Sequence, residues 1–313
     1  MNSGHRDSRV DPIRYGRYGD LPVILVRTST ASAAVSLFGG QVLSYAPQGQ
    51  SDLLWVSPTT ATPPRPLRGG IPICWPYFAR QGQPEDAPQH GLVRTEHWRF
   101  LSARVEPDAR VVMALAAPAL PGVGLDLVLT LSIGSSLGMA LTTVNVGRAP
   151  VRMTQAFHTY FRVGDARRCS IEELAGLTYS DKFDGFARHV QHGPWTLADP
   201  RDPGRSDRIY HDAGGAYRVN DPTFGRVIEV VSSGSRSVVV WNPGAEAVRG
   251  FADIPHEAWP HFLCLEVANC GDDVVELAPG ETHVLRQTLT AQATAGGSAP
   301  ACSSMAQPFG QRD

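Results

Sequence analysis

The sequence predicts an all-β protein, an antiparallel sandwich folded as a single domain. Apolar and polar residues alternate with period two along much of the chain, and turn-forming clusters such as FGGQ, EPDAR, GSSLG and APGET separate those stretches at hairpin spacing. No window holds the 3.6 spacing of a major helix, and strands do not alternate with helices as a doubly wound sheet requires. No repeat of fixed period points to a propeller or solenoid. A chain of 313 residues is compatible with one large sandwich.

Taken in order, residues 1–20 are polar, without an apolar core of signal-peptide length, and are expected to form a mobile arm. Strands are expected over 22–27, 32–38, 41–46, 110–116, 125–133, 139–146, 151–163, 236–242, 261–268 and 282–290. The clearest is GLDLVLTLSI, where Leu125, Leu127, Leu129, Leu131 and Ile133 fall on one face. The domain therefore spans 21–291, and the small-residue tail 292–313 is expected to be disordered.

Two stretches break the pattern. Pro58 to His97 holds prolines at 58, 63, 64, 66, 72, 76, 84 and 88, too long for a simple connection and too aromatic (Trp75, Tyr77, Phe78) for disorder. The run 165–210, rich in charge and turn residues, is expected to cover the sheet as ordered loops.

Composition removes several function classes. The formal charge is −2 with scattered basic residues, so nucleic-acid binding is not expected. Five cysteines, an odd number without paired close spacing, point to a reduced, cytoplasmic chain with no zinc or disulfide framework. No run approaches the roughly 20 apolar residues of a membrane span. Lys182 is the single lysine, so an anion site would be built from guanidinium forks.

Two polar strand residues stand out. Alternation in VRMTQAFHTYFRV puts Thr154, Ala156, His158, Tyr160 and Arg162 on one face; taken alone, His158 reads as a hydrogen-bonded structural residue more often than as an acid or base. In HFLCLEVAN, Glu266 shares a face with Phe262, Cys264 and Ala268. It is either a buried ion pair with an arginine or a carboxylate whose pKa is raised, as a general base requires. Cys264 has no activating partner in the sequence and reads as a small buried hydrophobe. His90 and His97 lack a third ligand at a recognised spacing, so no metal is expected. Among Trp75, Tyr77 and Phe78 at least two are expected to pack, and Asp181, Lys182 and Asp184 read equally as a solvated turn or a ligand contact.

The ordered set LRGGIPICWPYF, PQHGLVRTEHW, FHTYFRV, GLTYSDKFDG, DRIY, VVVWNP and FLCLEVAN followed by LAPGET resembles the hexose-6-phosphate mutarotases, or glucose-6-phosphate 1-epimerases, of the aldose 1-epimerase superfamily. The resemblance covers nearly all of 21–291 and implies a galactose mutarotase-like β-supersandwich with its site on the concave face of the large sheet. It implies a cofactor-free isomerase that interconverts the α and β anomers of a hexose 6-phosphate. It also implies His158 as general acid, Glu266 as general base, and Arg68, Gln89, Arg94 and Asp207 as substrate contacts, with His90 a further hydrogen-bond partner of the sugar. The arginine-rich stretches DARRC and PRDPGRSDR of the central run do not align with the family pattern. The alternatives are an aldose 1-epimerase for unphosphorylated sugars and a carbohydrate-binding module without catalysis. The partner is thus a small sugar phosphate, with no membrane, and the chain is expected to be a monomer.

Overall fold

The computed structural model describes residues 11–198 and 204–294; the arm over 1–10, the tail from 295 and residues 199–203 lie outside the described residues. The two largest sheets are a nine-stranded one, centred on Thr282–Ala293, Leu137–Asn145 and Leu125–Ile133, and an eight-stranded one. The latter runs through Thr178–Asp181, Ser206–His211, Ser237–Asn242, Phe262–Asn269, Gln155–Phe157 and Ile73–Cys74. Neighbouring strands are antiparallel, as the fold class requires. The sequence's period two is realised directly: Leu125–Ile133 buries every second residue.

The main core lies between these sheets. Leu127, Leu129, Leu131, Leu141, Leu285 and Leu289 meet Phe157, Phe161, Val238, Val240, Leu263, Leu265 and Val267, all essentially buried. Each such side chain stabilises the fold by roughly 1.5–3 kcal/mol relative to its exposed state. Since successive residues of a strand point to opposite faces, the same packing turns Val239, Trp241, Cys264 and Glu266 to the other face of the eight-stranded sheet. That face carries the cavity.

Four expectations are corrected. Ile13–Tyr18, inside the expected arm, pairs in register with Leu21–Arg27, so the folded body begins before residue 21; Ile13 and Tyr18 pack on apolar clusters. Arg99–Val105 is a strand outside the expected spans; it is largely exposed on both faces, so its alternation marks no core face. The expected strand over 151–163 is three: Val151–Met153 pairs with Val275–Leu277, while Gln155–Phe157 and Tyr160–Arg162 join Phe262–Asn269 on either side of a break at His158 and Thr159. The run 165–210 contributes strands rather than only loops, notably Thr178–Asp181, Ala187–Val190 and Ser206–His211 at one side of the eight-stranded sheet. Its polarity hid them. Arg208 and Tyr210 are buried against Gln191, which accepts from both at 3.1 and 2.8 Å, while Asp207 and Ile209 line the cavity on the opposite face.

Candidate active site

The site begins at the break between Gln155–Phe157 and Tyr160–Arg162. With His158 and Thr159 outside the ladder, the His158 amide donates to the Pro72 carbonyl at 3.0 Å, which fixes the imidazole over the sheet. Tyr160 stacks on that ring at 4.8 Å and 7°, and Trp241 meets it edge-on at 6.0 Å. Glu266 is placed by Phe262–Asn269, paired with Ser237–Asn242 so that Val239 is opposite Glu266. The two functional groups meet there: His158 Nδ1 lies 3.4 Å from Glu266 Oε1.

Both groups are buried, with relative exposures of 6% and 1%, and both leave polar atoms without a hydrogen-bond partner, Nδ1 of His158 and Oε2 of Glu266. Burial is the main cause of two opposed pKa shifts. It pushes the Glu266 carboxyl well above the usual carboxylate range, reinforced by Asp207 and opposed by Lys182 and Arg94. It holds His158 well below the usual imidazole range, helped by His90, Arg94 and Arg68. No arginine forms an ion pair with Glu266 among the described residues; its carboxyl faces His158 instead.

The proline-rich segment supplies the opposite wall. In RGGIP the chain passes so close to its neighbours that a Cβ at Gly69 would lie 2.4 Å from the Trp55 carbonyl oxygen and one at Gly70 2.3 Å from that of Val42, both with positive φ. Those contacts aim Arg68, whose Nε donates to Asp253 Oδ2 and whose Nη1 donates to Tyr160 Oη, both at 2.9 Å. His90 adopts φ 68°, a left-handed conformation that positions its ring edge-on to His158 at 5.3 Å. Its Nδ1 accepts from the Ala79 amide at 3.3 Å, beside Cys74 Sγ at 3.4 Å, which leaves the proton of the neutral ring on Nε2. Burial, with Arg94, Arg68 and Lys182, keeps His90 uncharged, and burial pushes the Cys74 thiol up to about 12.

These walls enclose a cavity of about 400 Å³, within the size of ordinary small-molecule sites. Arg68, Gln89, His90, Arg94, His158, Asp207 and Glu266 all line it, so the fold brings these seven residues together. Gln89 is exposed at the mouth. Arg94 has no carboxylate partner among the described residues, and its Nε is buried without a hydrogen-bond acceptor. Lys182 donates to Asp207 Oδ2 at 2.8 Å. The arrangement can therefore exchange protons at one end and hold an anion along its cationic wall.

The aldose 1-epimerase family pattern matches residues 22–290. The chain belongs to the aldose 1-epimerase family. It is 29% identical over 254 residues to a Salmonella typhimurium protein described as a candidate glucose-6-phosphate 1-epimerase, spanning 79% of this chain and 83% of that one. A Cenchrus ciliaris protein with the same description is 28% identical over 284 residues, spanning 86% and 84%. The crystal structure of a candidate mutarotase, YeaD, from Salmonella typhimurium superposes with a TM-score of 0.81 at 25% identity, covering 91% of this chain and 95% of that one. A galactose mutarotase-like protein from Lactobacillus casei shares the fold, with a TM-score of 0.64 at 14% identity over 86% and 100% of the two chains.

Within this family member, sequence reasoning missed several groups at the cavity. Trp241 and Phe251 line it, and Asp253 holds Arg68. Lys182, left open between a solvated turn and a sugar contact, reaches the cavity through its bond to Asp207. Its signals in the sequence were its place in GLTYSDKFDG and its being the single lysine. Trp75 is core, its indole donating to Thr143 Oγ1 at 3.0 Å, while Phe78 is buried and also meets His90 edge-on.

Proposed function

We propose that this protein interconverts the α and β anomers of a hexose 6-phosphate, glucose 6-phosphate first among them. The observation that carries the reading is the His158–Glu266 pair, one imidazole and one carboxyl 3.4 Å apart with uncommitted atoms at the wall of a cationic cavity. The relatives described as candidate glucose-6-phosphate 1-epimerases support the substrate class.

Anomerisation needs the C1 hydroxyl deprotonated and the ring oxygen protonated, so that the bond between C1 and the ring oxygen breaks and an aldehyde forms. Glu266 as carboxylate takes the first proton and His158 as imidazolium gives the second. The pair holds one proton before and after the step. At the open-chain stage Glu266 is protonated and His158 neutral, the same uncharged pairing that burial favours. Rotation about C1–C2 presents the other carbonyl face, and reclosure reverses both transfers. Each placed proton-transfer group contributes about 10²- to 10⁴-fold. His90, with its proton on Nε2, and Gln89 address sugar hydroxyls.

The phosphate accounts for the guanidinium groups. A dianion distant from C1 matches the forks of Arg68 and Arg94. Arg94, without a carboxylate partner, favours a phosphorylated substrate over plain sugars. The test is the rate at which α-glucose 6-phosphate approaches anomeric equilibrium, followed by saturation-transfer NMR with glucose as control. Acceleration of the phosphorylated sugar, lost in His158→Ala and Glu266→Gln, is the expected result. Binding without acceleration would leave a carbohydrate-binding module.

A further inference from the structure

We propose that the catalytic pocket contains a binding site for a soft divalent cation such as Zn²⁺, formed by His158, Glu266 and the otherwise unused Cys264, and that its occupation blocks sugar turnover. One ligand atom from each of the three residues lies within 4.8 Å of the others. Four-coordinate zinc, with bonds of about 2.0–2.3 Å, needs its donors roughly 3.3–3.8 Å apart, so binding requires a closure of about an ångström.

Three features distinguish this cluster from an ordinary buried thiol. Imidazole, carboxylate and thiolate together form a donor set suited to zinc and cobalt(II). Two of its atoms, His158 Nδ1 and Glu266 Oε2, are buried without a hydrogen-bond partner, so a cation would satisfy groups the protein leaves orphaned. His158 and Glu266 also line the cavity, which provides an entry path, whereas Cys264 is fully buried beside Tyr160 and closes the third side.

No spacing in the sequence announces the cluster. His158 is 106 residues from Cys264, and antiparallel pairing of Tyr160 with Cys264 brings them together. Binding displaces the thiol proton and any proton on the carboxyl, as coordination by a dication does generally. Arg68, Arg94 and Lys182 face the same cavity and repel a cation, so the thiolate–metal bond and not the local field must supply the affinity.

The experiment uses the full chain with Cys302→Ser, so that the tail thiol cannot contribute. Added Co²⁺ should give the thiolate-to-cobalt charge-transfer absorption, removed by Cys264→Ala and by excess glucose 6-phosphate. Zn²⁺ should inhibit turnover competitively with the sugar phosphate. Cys264→Ala should weaken inhibition by at least the about 10- to 100-fold that loss of even an outer-shell metal partner causes. Cys264→Ser, nearly isosteric, supplies the comparison if the alanine variant does not fold. Absence of the band, or Zn²⁺ inhibition unchanged in the cysteine variants, overturns the proposal. The cobalt spectrum does not depend on catalysis, so failure of the anomerase reading is seen separately, as wild-type protein that binds cobalt but turns over no sugar.

Discussion

His158 Nδ1 faces Glu266 Oε1 across 3.4 Å, yet neither Nδ1 nor the second carboxyl oxygen has a hydrogen-bond partner. A structural ion pair at this depth would satisfy its atoms, because an unpaired buried polar group costs about 1–3 kcal/mol. These groups are left available to a ligand. Glu266→Gln and His158→Ala should each lower turnover of glucose 6-phosphate by about 10²- to 10⁴-fold, with the double variant no worse than the product of the singles. Saturation-transfer NMR measures this directly.

The pKa shifts give a signed stability prediction. Glu266 is raised in the folded state, so its contribution is full below its unfolded value of about 4.3 and is lost as pH rises. Glu266→Gln should therefore gain stability relative to wild type as pH rises above about 4.3. His158 is lowered, so its contribution is present above its unfolded value of about 6.5 and is lost as pH falls. A His158→Gln variant should gain relative to wild type on acidification. Urea midpoints across pH separate the two, and parallel curves would refute both.

Arg94 is half-buried, with its Nε inaccessible and unpaired. Arg94→Met should raise KM for glucose 6-phosphate by about tenfold or more, from a loss of about 1.5–3 kcal/mol, with little change for plain glucose. Its melting temperature should not fall. A variant equally impaired on both sugars would argue against a phosphate role.

Gly69 has φ 104° and no room for a Cβ beside Trp55. Gly69→Ala should cost about 2–4 kcal/mol in urea unfolding and displace Arg68, weakening substrate binding as well. Asp253→Asn tests the same positioning more gently. It removes the charge that holds Arg68 Nε at 2.9 Å, and should raise KM more than it lowers kcat.

By itself the sequence determined the all-β class and the faces of the best-patterned strands. Leu125–Ile133 and Phe262–Asn269 are half or wholly buried strands whose alternation survives in the structure, so Glu266 could be set apart from Leu265 and Val267 before any coordinates. The family motifs named seven of the residues that line the cavity. Strands such as Arg99–Val105 and Ser206–His211 were not legible, because one has little buried face and the other buries polar groups on both. Only the tertiary structure decided the separation of His158 from Glu266, the hold of Asp253 on Arg68 and the approach of Lys182 to Asp207, contacts made by residues 108, 185 and 25 positions apart. Period two reports which face a side chain takes. Which distant strand lies opposite depends on pairing and on close approaches such as those at Gly69 and Gly70, where the missing Cβ is not recorded by any hydrophobic pattern.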